Sequence, residues 1–299
     1  MNTPANTPQA AILDETSTQH LAIEYIANEG LTAAGLGAAW DSTHDMAIER
    51  GFRMMLAFGA DFWRRSSPAA TPPNLAAFDA IGAAPASGGD VFLWLHGTRP
   101  DDLLDAALNF HTGVTGKLSR IAETPGFIRH EKRDLTGFVD GTANPKDDAR
   151  KHVALVPPGQ PGGGGSFVFS QRWVHDLMAF NALPVEEQER VIGRTKVDSI
   201  ELEGDAMPAD SHVSRTDVKI DGVAQKIYRR SFPYGGVAEH GLYFLAFACD
   251  PARITVQLER MYGTTGDGLR DRIIDYSRAV SGAFWFAPSV EDRNAALGL

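Results

Sequence analysis

From His20 onward the chain alternates short apolar runs with mixed stretches, each bounded by turn residues. HLAIEYIA reads as a strand, TAAGLGAAWDSTHDMAIER is mostly helical in spacing, and RMMLAFGADFW predicts a second strand running into a turn. After the loop SSPAATPPN comes VFLWLH, a continuous apolar strand. DDLLDAALNFH then switches to helical spacing, with Leu103, Leu104, Ala107, Leu108 and His111 on one side. The design recurs in LYFLAFACDP followed by ARITVQLERMY, whose apolar residues are Ile254, Val256, Leu258 and Met261. Pro100 and Pro251 correspond, 151 positions apart in a chain of 299, a spacing that predicts two structurally related halves.

Between the halves lie GFVDGTANPKDD and VPPGQPGGGGS, too rich in glycine and proline for regular structure, and the boundary is expected there. Beyond it SFVFSQRWVHD predicts a strand, PVEEQERVIGRTK a helix opened by Pro184, and KIYRRSFPYG another strand. Alternation in SFVFSQRW and KIYRRSFP suits antiparallel sheets with one covered face. The expected class is α+β with two sheets: one unit over 20–145 and a second over 146–299. Residues 1–19, rich in Asn, Thr, Pro and Ala without periodicity, are expected to form a disordered arm.

Composition narrows the function. At 43% hydrophobic and 22% charged residues the chain can bury a sizeable core. A formal charge of −10, with no clustered basic patch, argues against nucleic acid and anionic membrane as partners. No apolar stretch reaches the roughly 18 residues that span a bilayer. Cys249 is the single cysteine, so an intramolecular disulfide and cysteine-rich metal sites are excluded, and the residue itself is expected to be inert core. The first basic residue is Arg50, which leaves no n-region for a secretory signal, and a cytoplasmic location is expected.

Several segments could carry chemistry, each with an ordinary alternative. In GFVDGTANP, glycines flank Asp140; the same pattern is also plain turn chemistry. None of the nine histidines forms a zinc signature. His212, in the polar segment MPADSHVSRTD, could project an imidazole toward a cofactor, or be a surface or core residue. GQPGGGGS lacks the Lys-Ser/Thr of a phosphate-binding loop and reads as a linker, and no G-x-S-x-G elbow is present. The tryptophans and tyrosines read as packing residues.

Taken together, GFVDGTANP, SHVSR and YRRSFPYG, in that order, resemble the dye-decolourising peroxidases, in particular their bacterial signal-less subgroup, over about 20–288. The resemblance implies two ferredoxin-like halves with haem b held mainly by the second. It implies His212 as axial iron ligand, Asp140 as distal acid–base group and Arg229 as distal cation. Ser231 falls where some relatives carry Asn. Arg194, in IGRTK, would face a haem propionate or be an exposed helix-end arginine. Asp271, in LRDRIIDYS, is the carboxylate best placed to orient His212, with Asp275 as the alternative. Hydrogen peroxide and small phenolic or dye-like donors would be the substrates, and a homo-oligomer the assembly. Some relatives enter protein nanocompartments through a C-terminal tail, but EDRNAALGL shows no such targeting peptide. Two competing readings are a haem- or iron-handling protein that shares His212, and a cofactor-free interaction module.

Overall fold

The computed structural model describes residues 6–299. The first half runs β1 (Gln19–Ala27), α1 (Gly37–Arg50), β2 (Arg53–Phe58), α2 (Ala60–Ser66), β3 (Val91–Gly97), α3 (Pro100–Gly113) and β4 (Leu118–Phe127). Its antiparallel sheet has the order β2-β3-β1-β4. After α4 (Ala149–Ala154) the second half opens with β5 (Ser166–His175), followed by α5 (Leu177–Asn181), α6 (Val185–Ile192) and α7 (His212–Thr216). A small hairpin, β6 (Lys219–Ile220) and β7 (Val223–Ala224), precedes β8 (Tyr228–Arg229), β9 (Phe232–Gly235) and β10 (His240–Ala248). The chain closes with α8 (Ala252–Met261), β11 (Ser277–Ala279), β12 (Ala283–Ala287) and α9 (Val290–Leu297). Here β5 lies between β11/β12 and β10, with β8 and β9 beyond β10. Both halves therefore follow the ferredoxin-like path, in which the fourth strand lies beside the first, the first beside the third, and the third beside the second.

The two sheets meet at both edges. Phe58 pairs with Phe286, and Gly126 with Tyr234, so the ladder closes on itself and leaves few free edges. Gly126 is obligatory at its seam, because a Cβ there would come within 2.2 Å of the Phe232 ring. Inside the closed ladder Phe92, Trp94, Phe232, Leu245, Phe247 and Trp285 form a common core, each side chain contributing about 1.5–3 kcal/mol by leaving water. One polar network sits within it. Tyr243 donates to Glu24 Oε1 at 2.7 Å, and Trp285 Nε1 donates at 2.9 Å to the Ser170 hydroxyl, which reaches the same carboxyl oxygen at 3.4 Å.

Outside the ring, α1 and α3 cover the first sheet over Leu21, Leu95, Trp40 and Phe110, while α8 packs on the second through Ile254 and Leu258. Strands β3 and β5 are thus buried on both faces, which suits the continuous apolar run of β3, whereas the single covered face expected from the alternation in β5 is not what the chain builds. RMMLAFGADFW does not end in a turn: β2 stops at Phe58 and α2 follows directly, packing Phe62 and Trp63 inward.

The disordered arm expected over 1–19 is also corrected for its described part; residues 1–5 lie outside the described residues. Gln9 is buried, bridging the Leu56 amide and carbonyl and the Pro288 carbonyl. Ala11 and Ile12 join the inter-sheet core, and Val290 N donates to Thr7 O while Thr7 N donates to Glu291. Weak periodicity concealed a segment that is held by backbone pairing and one buried amide. The helix α9 folds back on the first half, Arg293 lying 4.3 Å over the Trp40 ring. Cys249 is half-buried rather than core, and burial pushes its thiol above the usual value. No helix among the described residues is long and apolar enough to cross a membrane.

Candidate active site

A cleft lies on the outer face of the second sheet, walled by α7, α8 and the GFVDGTANP loop. Strand register supplies its floor: Leu242 opposite Trp173 and Phe244 opposite Gln171 project from the same side of the paired strands. Ile254, Leu258 and Met261 from α8 add apolar wall.

The loop is shaped by two left-handed glycines, Gly137 and Gly141. Asp140 N donates to Lys132 O at 2.9 Å. Asn144 then acts as a strand substitute: its amide donates to Arg229 O at 2.8 Å and its carbonyl accepts from Arg229 N at 3.0 Å. That double bond brings the loop against β8, with Asp140 Oδ1 3.3 Å from Arg229 Nε.

Arg229 reaches the cleft because β8 and β9 keep one register across 230–231, with Arg229 opposite Ala246 and Phe232 opposite Tyr243. Tyr228, Arg230 and Phe232 therefore face the inter-sheet core, and Arg229 and Ser231 the other side. Arg230 donates to the Ala11 and Ile12 carbonyls. Ser231 lines a neighbouring cavity rather than the cleft itself, and its buried hydroxyl has no hydrogen-bond partner.

On the opposite wall His212 begins α7, where Ser211 caps the helix through the Ser214 amide. The His212 Nδ1 is 2.6 Å from Asp271 Oδ2, and Asp271 is fully buried, its other oxygen accepting from Ile273 N at 2.9 Å. With that carboxylate accepting a hydrogen bond from Nδ1–H, Nε2 is the nitrogen left for a ligand. Arg215, buried behind it, pins the turn by binding Asp267 and the Arg260 and Leu269 carbonyls. Asp275 does not approach His212; it pairs with Arg270.

Arg194 lines the cleft with its guanidinium on Glu201 and the Ser199 carbonyl. Residues that sequence reasoning missed also lie here. His175 bridges Ser277 Oγ at 2.7 Å and Asp134 Oδ1 at 3.1 Å. Burial alone would raise the Asp134 carboxyl, but His175 and Thr136 together hold it down at about 2. Gln171 is fully buried, lines the cleft, and neither of its amide atoms has a partner. Only placement in space could have found these residues, since their partners lie far away in sequence.

The donor set fits haem: flat apolar walls for the macrocycle, an imidazole with a carboxylate behind it for iron, and arginines for propionates. The orphaned Gln171 amide is a further polar contact awaiting a large partner. Fold and site together define a haem-binding oxidoreductase of the α+β class.

Comparison with known proteins agrees. Residues 131–292 match the family model "Dyp-type peroxidase, C-terminal". The chain is 34% identical over 249 residues to a dye-decolorizing peroxidase of Rhodococcus erythropolis, covering 81% of this chain and 73% of the relative. A dye-decolorizing protein from Vibrio cholerae superposes with a TM-score of 0.88 at 38% identity, covering 95% of this chain and 98% of that one. A variant of DypB from Rhodococcus jostii RHA1 in complex with heme superposes with a TM-score of 0.89 at 33% identity, covering 98% of this chain and 99% of that one. The chain belongs to the dye-decolorizing peroxidase family: it is a haem-dependent peroxidase.

Proposed function

We propose that the cleft reduces hydrogen peroxide and oxidises phenolic or dye-like one-electron donors, with His212 as the residue that would hold the haem iron, Asp140 as the acid–base group and Arg229 as the distal cation. Haem b supplies the redox chemistry. The overall change takes one peroxide, two protons and two donor electrons to two waters. Asp140 removes the proton from one peroxide oxygen and returns it to the other, so that water can leave. Arg229, always charged, faces that carboxylate and stabilises negative charge on the departing oxygen. Asp271 accepts a hydrogen bond from His212 Nδ1 and fixes the ring with Nε2 toward the cleft. Arg194 would hold a haem propionate in place of Glu201, and Ser231 adds a hydroxyl next to Arg229 in sequence.

The observation that carries this reading is the coexistence, on one cleft, of the His212–Asp271 couple and the Asp140–Arg229 pair. A haem-handling protein needs the first and has no use for the second. The test is stopped-flow spectroscopy of the haem-loaded protein mixed with peroxide and then with a phenol. Wild type should show a rapid Soret change that reverts on adding donor. Arg229→Ala should keep its haem but respond at least 100-fold more slowly, about 2.7 kcal/mol of lost stabilisation. His212→Ala should lose haem on gel filtration. Normal occupancy and turnover in His212→Ala would refute the ligand assignment, and a Soret band indifferent to peroxide in wild type would favour haem handling.

A further inference from the structure

The loop that carries Asp140 grows out of an unusual turn. Glu131 and Lys132, at φ 53° and 64°, are the one adjacent pair of non-glycine residues in the left-handed region among the described residues. An L side chain is disfavoured there because its Cβ crowds the following carbonyl. Such backbone persists only where its surroundings over-determine it, and it gathers near working sites. Here the turn aims the Lys132 carbonyl at the Asp140 amide, 2.9 Å away, while Arg133 and Val139 pair beside it.

Two side chains pin this turn from opposite directions. Arg133 binds the Gly137, Lys196 and Val197 carbonyls together with the Glu131 carboxylate. Lys132 is held from outside the loop, donating to Glu15 Oε2 of the N-terminal segment at 2.8 Å. The other oxygen of that carboxylate accepts the Tyr228 hydroxyl at 2.7 Å, and Tyr228 is fully buried and immediately precedes Arg229 on β8. One carboxylate therefore reaches both arms of the distal pair: through Lys132 the backbone that bonds Asp140, and through Tyr228 the strand that bears Arg229.

Glu15 is itself delivered to this spot by an anchored segment. The Ala11 and Ile12 carbonyls before it accept from Arg230, and Ser17 after it bonds His96. Burial would raise the Glu15 carboxyl, but Lys132 and Tyr228 hold it below the usual glutamate value, which keeps it ionised at neutral pH. A half-exposed ion pair contributes little to global stability. Its leverage here is local, on a turn whose residues relax to ordinary φ once Lys132 is released.

We propose that Glu15 is a positioning residue for the distal pair, holding Lys132 in its left-handed turn and Tyr228 on β8 so that Asp140 and Arg229 stay facing each other. The consequence for peroxide rests on the peroxidase reading above, whereas the restraint on the loop does not.

The test compares Glu15→Ala, Glu15→Gln and Asp14→Ala in the haem-loaded protein. Asp14 is the control for segment anchoring, because its bonds go to Thr16 and Arg53. Hydrogen–deuterium exchange read by mass spectrometry on a peptide covering 138–144 reports the Asp140 amide. Exchange there should accelerate about fivefold in Glu15→Ala, with other regions unchanged, and keep the wild-type value in Asp14→Ala. In stopped flow the rate constant for peroxide should fall about five- to tenfold in Glu15→Ala, with haem content, resting Soret band and KM for a phenol unchanged. Glu15→Gln can still serve both partners, its oxygen on Lys132 and its NH2 on the Tyr228 hydroxyl oxygen, and should recover most of the rate. Wild-type exchange in Glu15→Ala would overturn the proposal, as would equal acceleration in Asp14→Ala, which would reduce Glu15 to an anchor of its segment. Faster exchange with an undiminished peroxide rate would overturn it too, and so would Glu15→Gln as slow as Glu15→Ala, which would assign the effect to charge. Faster exchange in Glu15→Ala of a protein whose wild type ignores peroxide would uphold the restraint and refute the peroxidase reading instead.

Discussion

Arg229 and Arg230 are adjacent in extended chain at the end of β8, yet one lines the cleft beside Asp140 and the other anchors the N-terminal segment in the inter-sheet core. Period-two alternation separates them, and that much is visible in YRRSFP; which arginine faces which side is not, because it depends on a register set by β10. Asp140, Arg229 and His212 could be singled out in the sequence only through their resemblance to family motifs. Asn144 was hidden inside a turn signature, because its partner backbone is 85 residues away. Asn144→Ala should cost about 1–2 kcal/mol in chemical denaturation through two lost hydrogen bonds to backbone. It should also slow the reaction with peroxide while haem content stays normal; an unchanged peroxide rate would mean that Asp140 and Arg229 do not depend on this clamp. Asp271→Asn keeps the cap on Ile273 but weakens the carboxylate behind His212. Haem transfer to a scavenger should then accelerate 10- to 100-fold, and unaltered transfer would show that the couple does not govern retention.

At the scale of elements, helix spacing and apolar runs located most of the pieces, and failures cluster where burial is two-sided. SFVFSQRWVH sits between a second sheet and a helical layer, so its alternation carries little information about which face is wet, whereas the continuous apolar run VFLWLH does announce two-sided burial. The same two-sided burial isolates Glu24 on β1, against Tyr243 of β10 and Ser170 of β5. Burial pushes this carboxyl up, and the hydrogen bonds from Tyr243 and Ser170 only partly oppose the shift. A carboxyl raised on folding binds its proton more tightly in the native state. Wild-type stability should therefore decline as pH rises from the ordinary glutamate value of 4.5 into the neutral range. Glu24→Gln cannot ionise and retains an oxygen for Tyr243, so its Tm should vary less over this interval, and two parallel Tm profiles would show that Glu24 is not the source. Asp134 contributes with the opposite sign: its stabilisation is present at neutral pH and disappears as pH falls from 3.8 toward 2.

Across the whole molecule, the two similar halves could be inferred from the Pro100–Pro251 correspondence, but their union into one closed ladder could not. Closure rests on contacts between residues more than a hundred positions apart, such as Gly126 with Tyr234 and Phe58 with Phe286. The N-terminal segment reinforces it, since Gln9 ties β2 of the first half to the Pro288 carbonyl in the second. Gln9→Ala would leave the Leu56 amide without its partner in a buried site. A loss of about 1–3 kcal/mol, seen as a lower midpoint in urea with unchanged slope, is expected. No change in midpoint would mean that the segment rides on the fold without securing it.

The pairing of Thr7 with Val290 and Glu291 brings the two ends of the described chain together. Asp292, in the first turn of α9, also receives the Asn6 amide. Sequence order is therefore close to a convention in this protein. A short glycine-serine linker could join the ends, and the ring so formed could be reopened at the exposed turn around Gly116, where a side chain would meet open space and Asn28 bonds to the backbone from outside the turn. A permutant of that kind would begin with β4 and end with α3. It should retain haem and peroxide reactivity, because neither depends on where translation starts.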